Sequence, residues 1–230
     1  MRPARSRRDC IAVGSNLHDG AAIETAKGNH MLLHAFVPWS RANGPGLRSV
    51  VYFQGCSLNC AGCWNPATHK FRGNEISVRS VVRRFEEAMG SAALEGVTLS
   101  GGEPMQQAMA VAEIIKEIRE SVPGASFGMF TGYTEAELDA GCYVTLPATT
   151  QEHRHNLWQC IRRQLDFAIM GRYQGTEAVG QPLRTSSNQR LHLFSSRYSE
   201  ADFDLQLVEV DIGSDGRSVV TGFPILGTLA

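Results

Sequence analysis

The stretch Gly55-Cys-Ser-Leu-Asn-Cys-Ala-Gly-Cys-Trp-Asn65 places three cysteines, Cys56, Cys60 and Cys63, within eight residues. Their spacing, C-x3-C-x2-C, is too short to brace a fold, but it brings three soft sulfur ligands into one small volume. Thiolates select iron–sulfur clusters, zinc or copper(I). A cubane cluster normally takes four thiolates. Because no fourth cysteine lies nearby, a three-thiolate site would leave one metal corner open for chemistry.

Zinc and a disulfide are the two other interpretations of these cysteines. A structural zinc site needs four ligands in a closed tetrahedron, and His69 could complete a Cys3His set. A disulfide between Cys56 and Cys60 would close a very small loop. The six cysteines are also spread over 230 residues, unlike a disulfide framework. Zinc therefore remains the alternative at this point.

A second motif, Val97-Thr-Leu-Ser-Gly-Gly-Glu-Pro104, begins about forty residues after the first cysteine. Its apolar, β-branched start predicts a buried strand, which Ser-Gly-Gly-Glu-Pro interrupts. Apolar residues at helical spacing follow within 106–121. Gly101, Gly102 and Glu103 are therefore expected at the carboxyl end of a strand, where α/β folds bind ligands. Glycine lets the backbone approach a ligand closely, and the Glu103 carboxylate can accept from a cationic group.

Together the two motifs resemble the radical S-adenosylmethionine enzymes. In that superfamily the C-x3-C-x2-C loop holds a [4Fe–4S] cluster on three irons, and the fourth iron binds the amino and carboxylate groups of S-adenosylmethionine. The resemblance implies that Cys56, Cys60 and Cys63 are the catalytic cluster ligands. It also implies that Gly101, Gly102 and Glu103 bind the cofactor at its methionyl amine, and it favours the cluster over zinc.

Four further segments, Gly44–Arg48, Phe130–Thr134, Met170–Tyr173 and Arg184–Arg190, carry a narrower resemblance, which covers about residues 31–195. It is to the activating proteins of anaerobic ribonucleotide reductase and, more distantly, of pyruvate formate-lyase. The implied activity is a radical oxidoreductase that forms a 5′-deoxyadenosyl radical, which removes a glycine α-hydrogen from a partner. The implied partners are a glycyl radical enzyme and a flavodoxin or ferredoxin reductant, without nucleic acid or membrane.

The residues beside the last cysteine and at the Thr-Gly-Tyr-Thr segment are also implied cofactor contacts. They are Gly62, Cys63, Trp64, Thr131 and Gly132. Trp64 departs from the relatives, in which histidine or tyrosine is usual. Its indole could stack on the adenine or belong to the core, and both interpretations stay open.

Other departures concern the partner. The segment 140–163 is longer than in the reductase activases, and Thr185 replaces a glycine of the relatives. A stand-alone radical enzyme acting on a peptide or small metabolite is therefore an alternative. A non-catalytic metal-binding module is a third, which the Gly-Gly-Glu motif disfavours. Cys10, Cys142 and Cys160 are dispersed and are interpreted as ordinary thiols.

Bulk properties limit the remaining classes. A net charge of −1 argues against a nucleic-acid partner held by bulk charge, and no apolar run has the length of a membrane span. The arginine-rich start lacks a secretory core, although a transit peptide stays open. Thiolate ligands need a reducing compartment, so we expect a cytoplasmic protein. The predicted organisation is a disordered tail over 1–30, a radical S-adenosylmethionine domain over 31–200 and a β-hairpin extension over 201–230.

Alternating strands and helices predict an α/β fold with a parallel sheet. The resemblance adds that this sheet forms a partial (β/α) barrel with its ligand-bearing turns at the carboxyl ends of the strands. The predicted strands cover 48–54, 96–99, 126–130 and 167–170, and the hairpin pairs 205–212 with 218–221. The predicted helices cover 77–89, 106–121, 134–138 and 151–164. Ser77 is expected to cap the first helix, and Pro123-Gly124 to end the second.

Overall fold

The computed structural model describes residues 30–177, 179, 181, 183–204, 208–212 and 218–222. Apart from His30, the predicted N-terminal tail lies outside the described residues, and so does the turn of the C-terminal hairpin. No helix in the described part of the chain is both long and apolar enough to cross a bilayer.

A seven-stranded sheet in the order β3-β1-β2-β4-β5-β6-β7 forms the centre of the described fold. The pairs β2–β4, β4–β5 and β5–β6 are parallel, whereas β1, β3 and β7 are joined antiparallel at the two margins. The carboxyl ends of β2, β4, β5 and β6 therefore meet along one edge. The strands are β1 His30–Ser40, β2 Arg48–Phe53, β3 Asn74–Ser77, β4 Gly96–Gly101, β5 Ser126–Thr131, β6 Phe167–Met170 and β7 Arg190–Leu193.

The predicted α/β class is confirmed by this arrangement. The partial barrel stays a prediction, because strand order alone does not define how far the sheet curls. The C-terminal hairpin is present as a separate two-stranded sheet, β8 Val208–Ile212 and β9 Ser218–Gly222. It is hydrogen-bonded to the end of β1, where the Arg41 N–H donates to Glu209 Oε2 at 2.9 Å.

Within the described residues four α-helices connect the strands. They are α1 Val78–Ser91, α2 Ala108–Ser121, α3 Glu135–Asp139 and α4 Gln151–Arg162. A side-chain cap begins three of them, α1, α3 and α4. The predicted Ser77 cap is confirmed, since its side chain accepts from the Ser80 N–H. The Thr134 and Glu137 side chains form a reciprocal capping box at α3. A 3₁₀ turn, Pro104–Gln107, leads from the Gly-Gly-Glu turn into α2.

One hydrophobic cluster joins the buried faces of α1, α2 and α4 to alternate residues of the sheet. This alternation follows from the two-residue period of a strand, which sends neighbouring side chains to opposite faces. The strand residues in this cluster include Leu33, Val51, Phe53, Val97, Leu99, Phe127 and Met129. The rigid core therefore fixes the strand ends from which the site residues project.

The Gly44–Arg48 segment has a structural role. The fully buried Arg48 guanidinium donates to Thr98 Oγ1 at 2.9 Å and to the Pro45 carbonyl at 3.1 Å. It also lies 5.1 Å from the centre of the Phe167 ring. Burial lowers the pKa of Arg48. These contacts tie the start of β2 to β4 and β6, away from the cysteines.

Trp158 on α4 offers a test of this packing. The side chain is fully buried, and its indole N–H donates to Asp139 Oδ1 at 2.8 Å. We expect Trp158→Phe to lower the free energy of unfolding by about 1–3 kcal/mol, because it removes buried volume and leaves a carboxylate oxygen without this donor. The matched control, Trp39→Phe at a 44% exposed position, should change it by less than about 0.5 kcal/mol. Urea unfolding measures both, and equal effects would contradict the packing described here.

Candidate metal centre

The cluster loop, residues 55–70, begins soon after β2, and its last residues lie against its first ones. The Gly55 N–H donates to the Thr68 carbonyl at 2.7 Å, and the Cys56 N–H donates to the His69 carbonyl at 3.1 Å. The Gln54 side-chain amide reinforces the base by donating to two further carbonyls of the returning segment. The loop is therefore closed by protein contacts at the carboxyl edge of the sheet.

All three predicted cysteine ligands lie in this loop, and each is half-buried. Backbone N–H groups point at two of the sulfurs. The Asn65 N–H donates to Cys63 Sγ at 3.4 Å, and the backbone of Leu58 hydrogen-bonds the Cys56 sulfur. Donors of this kind stabilise a sulfur that carries negative charge.

Burial determines the charge of two of the thiols. Burial raises the pKa of Cys56 to about 11 and raises the pKa of Cys63 as well, although the backbone donors oppose this. Without a metal both groups are neutral thiols at neutral pH. A metal ion reverses the balance, because a coordinating thiol loses its proton outright.

The chemistry of these residues fits an iron–sulfur cluster, but their side chains are not arranged in the coordination geometry of one. Half-buried thiols with N–H donors are the setting in which thiolate-bound clusters sit. Within the described residues, however, no group of three or more histidine, cysteine or acidic side chains is already arranged to hold a metal ion. The same finding applies to the alternative Cys3His zinc set. The identity of the ligands therefore stays a prediction.

The Gly-Gly-Glu turn packs directly on the start of the cluster loop. The Gly102 N–H donates to the Phe53 carbonyl at 2.8 Å, and the Glu103 N–H donates to the Gly55 carbonyl at 2.9 Å. A Cβ atom on Gly102 would lie 2.4 Å from that same Gly55 oxygen. Only glycine allows this approach. The two motifs recognised in the sequence are thus joined backbone to backbone.

Glu103 is almost completely buried, at 1% exposure, and its carboxylate is held by three donors. Oε1 accepts from the Met105 N–H at 2.9 Å and from Thr131 Oγ1 at 2.7 Å. Oε2 accepts from the Gly132 N–H at 2.7 Å. A carboxylate has about four acceptor positions, so one remains for a cationic ligand. Thr131 and Gly132, predicted cofactor contacts, are therefore brought to the same carboxylate.

Burial raises the pKa of Glu103 from 4.5 to about 7, with the three donors acting in the opposite direction. The unfolded chain has the lower pKa, so folding favours the protonated acid. The stability contributed by this proton is present below about pH 4.5 and is lost as pH rises to about 7. A cationic ligand beside the carboxylate would offset the loss.

Glu103→Gln should abolish this pH dependence. We expect the free energy of unfolding of the metal-free wild type to fall relative to the variant by about 3 kcal/mol between pH 4.5 and 8. Urea unfolding of both proteins at each pH, with the thiols kept reduced, measures the difference. Other titrating groups cancel in the comparison. Parallel curves would mean that Glu103 ionises normally.

Trp64 and Gly62 lie beside Tyr173, which follows β6. The rings of Trp64 and Tyr173 are 6.0 Å apart and tilted by 55°. The half-buried indole belongs to neither hydrophobic cluster of the described residues, and its buried N–H has no hydrogen-bond partner there. The core interpretation of Trp64 therefore loses support, while stacking on an adenine stays a prediction.

The Ser-Ser-Asn-Gln segment is tied to the chain that leaves β6. Ser186 Oγ accepts from the Gln174 N–H at 3.3 Å, and Asn188 Nδ2 donates to the Arg172 carbonyl at 2.8 Å. These contacts satisfy backbone groups beside Tyr173. From the sequence, Ser186 and Asn188 could bind substrate, as the family resemblance suggests, or satisfy a loop backbone. These contacts support the second, structural role.

Gln106 was not anticipated as part of the site. It is fully buried in the 3₁₀ turn after Glu103, and its side chain binds Ser57, the residue after the first cysteine. The one signal in the sequence was a pair of glutamines, with Gln107, at the start of a helix whose other inward positions are apolar.

Comparisons with known proteins match the region of the chain that contains both motifs. The family model described as a 4Fe-4S single cluster domain matches residues 42–192, which include the cluster loop and Glu103. An anaerobic ribonucleoside-triphosphate reductase-activating protein of Vibrio cholerae is 27% identical over 170 residues, which are 72% of this chain and 99% of that protein. The protein of that description from Enterobacteria phage T4 is 28% identical over 67% of this chain and 88% of its own. A pyruvate formate-lyase-activating enzyme of Staphylococcus epidermidis is 33% identical over 50% of this chain and 44% of its own.

Proposed function

The chain belongs to the 4Fe-4S single cluster domain family and is a radical S-adenosylmethionine enzyme of the activating type, and from this premise we propose that it generates a glycyl radical on a partner enzyme. The observation that carries the proposal is the backbone junction between the Gly102–Glu103 turn and Gly55 of the cluster loop. This junction brings an acceptor for an ammonium group next to the loop with the three thiols. Metal binding alone would not need such an acceptor.

In this proposal Cys56, Cys60 and Cys63 hold a [4Fe–4S] cluster and leave one iron for S-adenosylmethionine. When bound, the cluster supplies the electron that breaks a carbon–sulfur bond of the cofactor, giving methionine and a 5′-deoxyadenosyl radical. Glu103 accepts from the methionyl amine, and Gly102 permits close backbone approach. Thr131 and Gly132 hold that acceptor in place through hydrogen bonds, and Gly101 permits the turn before it with a φ of 101°.

The other end of the cofactor is assigned to the residues around the last cysteine. We assign Gly62 and Trp64 to the adenosine side, because they lie together beside Tyr173 at the end of β6. The unpartnered indole N–H of Trp64 leaves a donor for a nitrogen or oxygen of the ligand. Trp64 and Tyr173 are half-buried, so a ligand seated against their rings would be partly shielded from water.

The partner is proposed from the relatives. Proteins named as activators of anaerobic ribonucleoside-triphosphate reductase match most of the chain, so this reductase is the first candidate, with pyruvate formate-lyase next. A glycine α-carbon of the partner would donate the hydrogen atom. A flavodoxin or ferredoxin would supply the electron, and a reducing cytoplasm would keep the thiolates intact.

The proposed architecture follows from the same family. Residues 31–200 form the radical S-adenosylmethionine domain, with the parallel strands curled into a partial (β/α) barrel, and residues 201–230 are a hairpin extension. The arrangement is supported by the position of the cluster loop, Glu103 and Tyr173, which all follow carboxyl ends of parallel strands.

An anaerobic reconstitution tests the function. The protein is loaded with iron and sulfide, reduced with dithionite and given S-adenosylmethionine, and 5′-deoxyadenosine is measured with and without purified anaerobic ribonucleotide reductase. We expect product in both cases and a glycyl radical signal by electron paramagnetic resonance (EPR) with the reductase. Cleavage without a glycyl radical on either candidate partner would favour the stand-alone enzyme. Zinc binding in place of a cluster would overturn the proposal.

A further inference from the structure

Gln106 makes three hydrogen bonds through one buried amide. Its Oε1 accepts from the Ser57 N–H at 3.0 Å, and its Nε2 donates to Ser57 Oγ at 2.7 Å and to Tyr133 Oη at 2.9 Å. Both amide hydrogens are thereby used. A buried amide that loses such partners is costly, so these contacts constrain the loop strongly.

Ser57 follows Cys56 and begins the span that leads to Cys60. The base of the loop is fixed by Gly55 and Cys56 through their bonds to the returning segment. Gln106 instead holds the segment that leaves Cys56, through hydrogen bonds to both the backbone and the side chain of Ser57. The direction in which the chain leaves Cys56 therefore depends on this glutamine.

The same amide connects the loop to the carboxylate that holds the Gly-Gly-Glu turn. Tyr133 Oη accepts from Gln106, and the Tyr133 N–H donates to Thr131 Oγ1 at 3.2 Å. Thr131 Oγ1 in turn donates to Glu103 at 2.7 Å. Two sets of hydrogen bonds, joined through the covalent frame of Tyr133, thus connect the neighbour of the first cysteine to the proposed cofactor carboxylate.

Gln107 provides an internal contrast. It is also buried, at 7% exposure, and lies in the same turn. Its amide accepts from the Leu32 N–H and donates to the Leu32 and Gln54 carbonyls. Gln107 therefore joins β1 to the end of β2 and makes no hydrogen bond to the cysteine span 56–63 among the described contacts.

We propose that Gln106 is a positioning residue that sets the cluster loop in register with the Glu103 carboxylate, so that the three thiolates and the amino end of the cofactor meet. Its catalytic consequence rests on the proposed function. Its effect on the loop does not, because all three contacts join protein groups. The two can therefore be tested separately.

The first experiment measures amide hydrogen exchange at Ser57 in the full, metal-free, reduced protein by nuclear magnetic resonance. Gln106→Met keeps a side chain of similar length but removes all three hydrogen bonds. We expect Ser57 exchange to quicken by about tenfold or more, while the Cys56 amide changes little. The matched control, Gln107→Met, should leave Ser57 unchanged. Equal Ser57 exchange in the wild type and Gln106→Met would overturn the proposal.

The second experiment uses the reconstituted protein. Iron release to a chelator should be about tenfold faster in Gln106→Met than in Gln107→Met. The EPR spectrum of the reduced cluster should also lose or alter its response to S-adenosylmethionine. Tyr133→Phe should share this defect, and the double variant should be less than additive because both changes break one network. Wild-type release rates and spectra in Gln106→Met would refute the positioning role.

The outcomes separate the two proposals. If the wild type binds a cluster but does not cleave the cofactor, the proposed function fails while exchange and iron release still decide the role of Gln106. If Gln106→Met does not fold, Ser57→Ala replaces it, since this change removes only the bond to Ser57 Oγ. We then expect faster iron release of smaller size, and wild-type release would count against the proposal.

Discussion

Cys60→Ala is expected to eliminate the intact cluster and reduce 5′-deoxyadenosine formation to background. The loop contains three cysteines, so a cubane cluster bound there already has one iron without a protein ligand. Loss of a second thiolate would expose a second iron. Iron and sulfide content, the visible absorption of the reconstituted protein and product formation measure the loss. A variant that cleaved the cofactor at the wild-type rate would exclude Cys60 as a ligand.

Cys142→Ala is the matched control for this experiment. Cys142 is an exposed free thiol outside the cluster loop, and its sulfur makes only long contacts of 3.7 Å. We expect wild-type cluster content and cleavage. Comparable damage in both variants would point to general oxidation or misfolding instead of a specific ligand.

Gly102→Ala is expected to separate the two halves of the site. The added Cβ would fall 2.4 Å from the Gly55 carbonyl oxygen, a backbone atom that cannot rotate away. The Gly-Gly-Glu turn must then move off the cluster loop and break the Glu103 N–H bond to Gly55. We expect the free energy of unfolding to fall by about 1–3 kcal/mol. Cofactor cleavage should fall by about a hundredfold, because small displacements of a bound reactant have effects of that size.

The same substitution at Gly90 should act in the opposite direction. Gly90 lies near the end of α1, and a Cβ there would meet no atom within 4 Å. Alanine is the better helix former, so Gly90→Ala should stabilise the fold by about 0.5–1 kcal/mol and leave cleavage unchanged. Urea unfolding and product assays on both variants provide the comparison. A Gly102→Ala protein with wild-type stability and activity would contradict the backbone junction.

The parallel part of the sheet and its helices could be predicted because the apolar residues of each segment follow one clear period, that of a strand or that of a helix. Phe167–Met170 is a buried strand with the predicted bounds, and α1 begins after the predicted Ser77 cap. The turn before Pro123 ended α2 as expected. These segments lie where local pattern and final burial agree.

The antiparallel margins were not predicted because their patterns are broken. β1 is eleven residues long, but its pairing with β2 shifts register at two places, so its inward residues do not alternate regularly. β3 and β7 have four residues each and are largely exposed or half-buried. Such strands are defined by their neighbours rather than by their own sequence.

The site was predictable as two motifs but not as one network. The two motifs and the family that they resemble indicated Cys56, Cys60, Cys63 and Glu103, whose roles stay predictions. The hydrogen bond that the Gly132 N–H donates to Glu103, and the one that the Ser57 N–H donates to Gln106, depend on how separate strand ends meet. Single-sequence patterns do not encode such contacts, since a buried glutamine and an exposed one look the same.

The closure of the cluster loop on itself bears on how this protein matures. The bonds from Gly55 to Thr68 and from Cys56 to His69 join peptide groups and need no metal. The chain can therefore fold first and bind iron and sulfide afterwards, unlike small domains that fold only around their metal. We expect a chain that loses its iron to oxygen to keep its fold and to take up a new cluster without unfolding. Repair would then require a delivery system for iron and sulfide and no new protein synthesis.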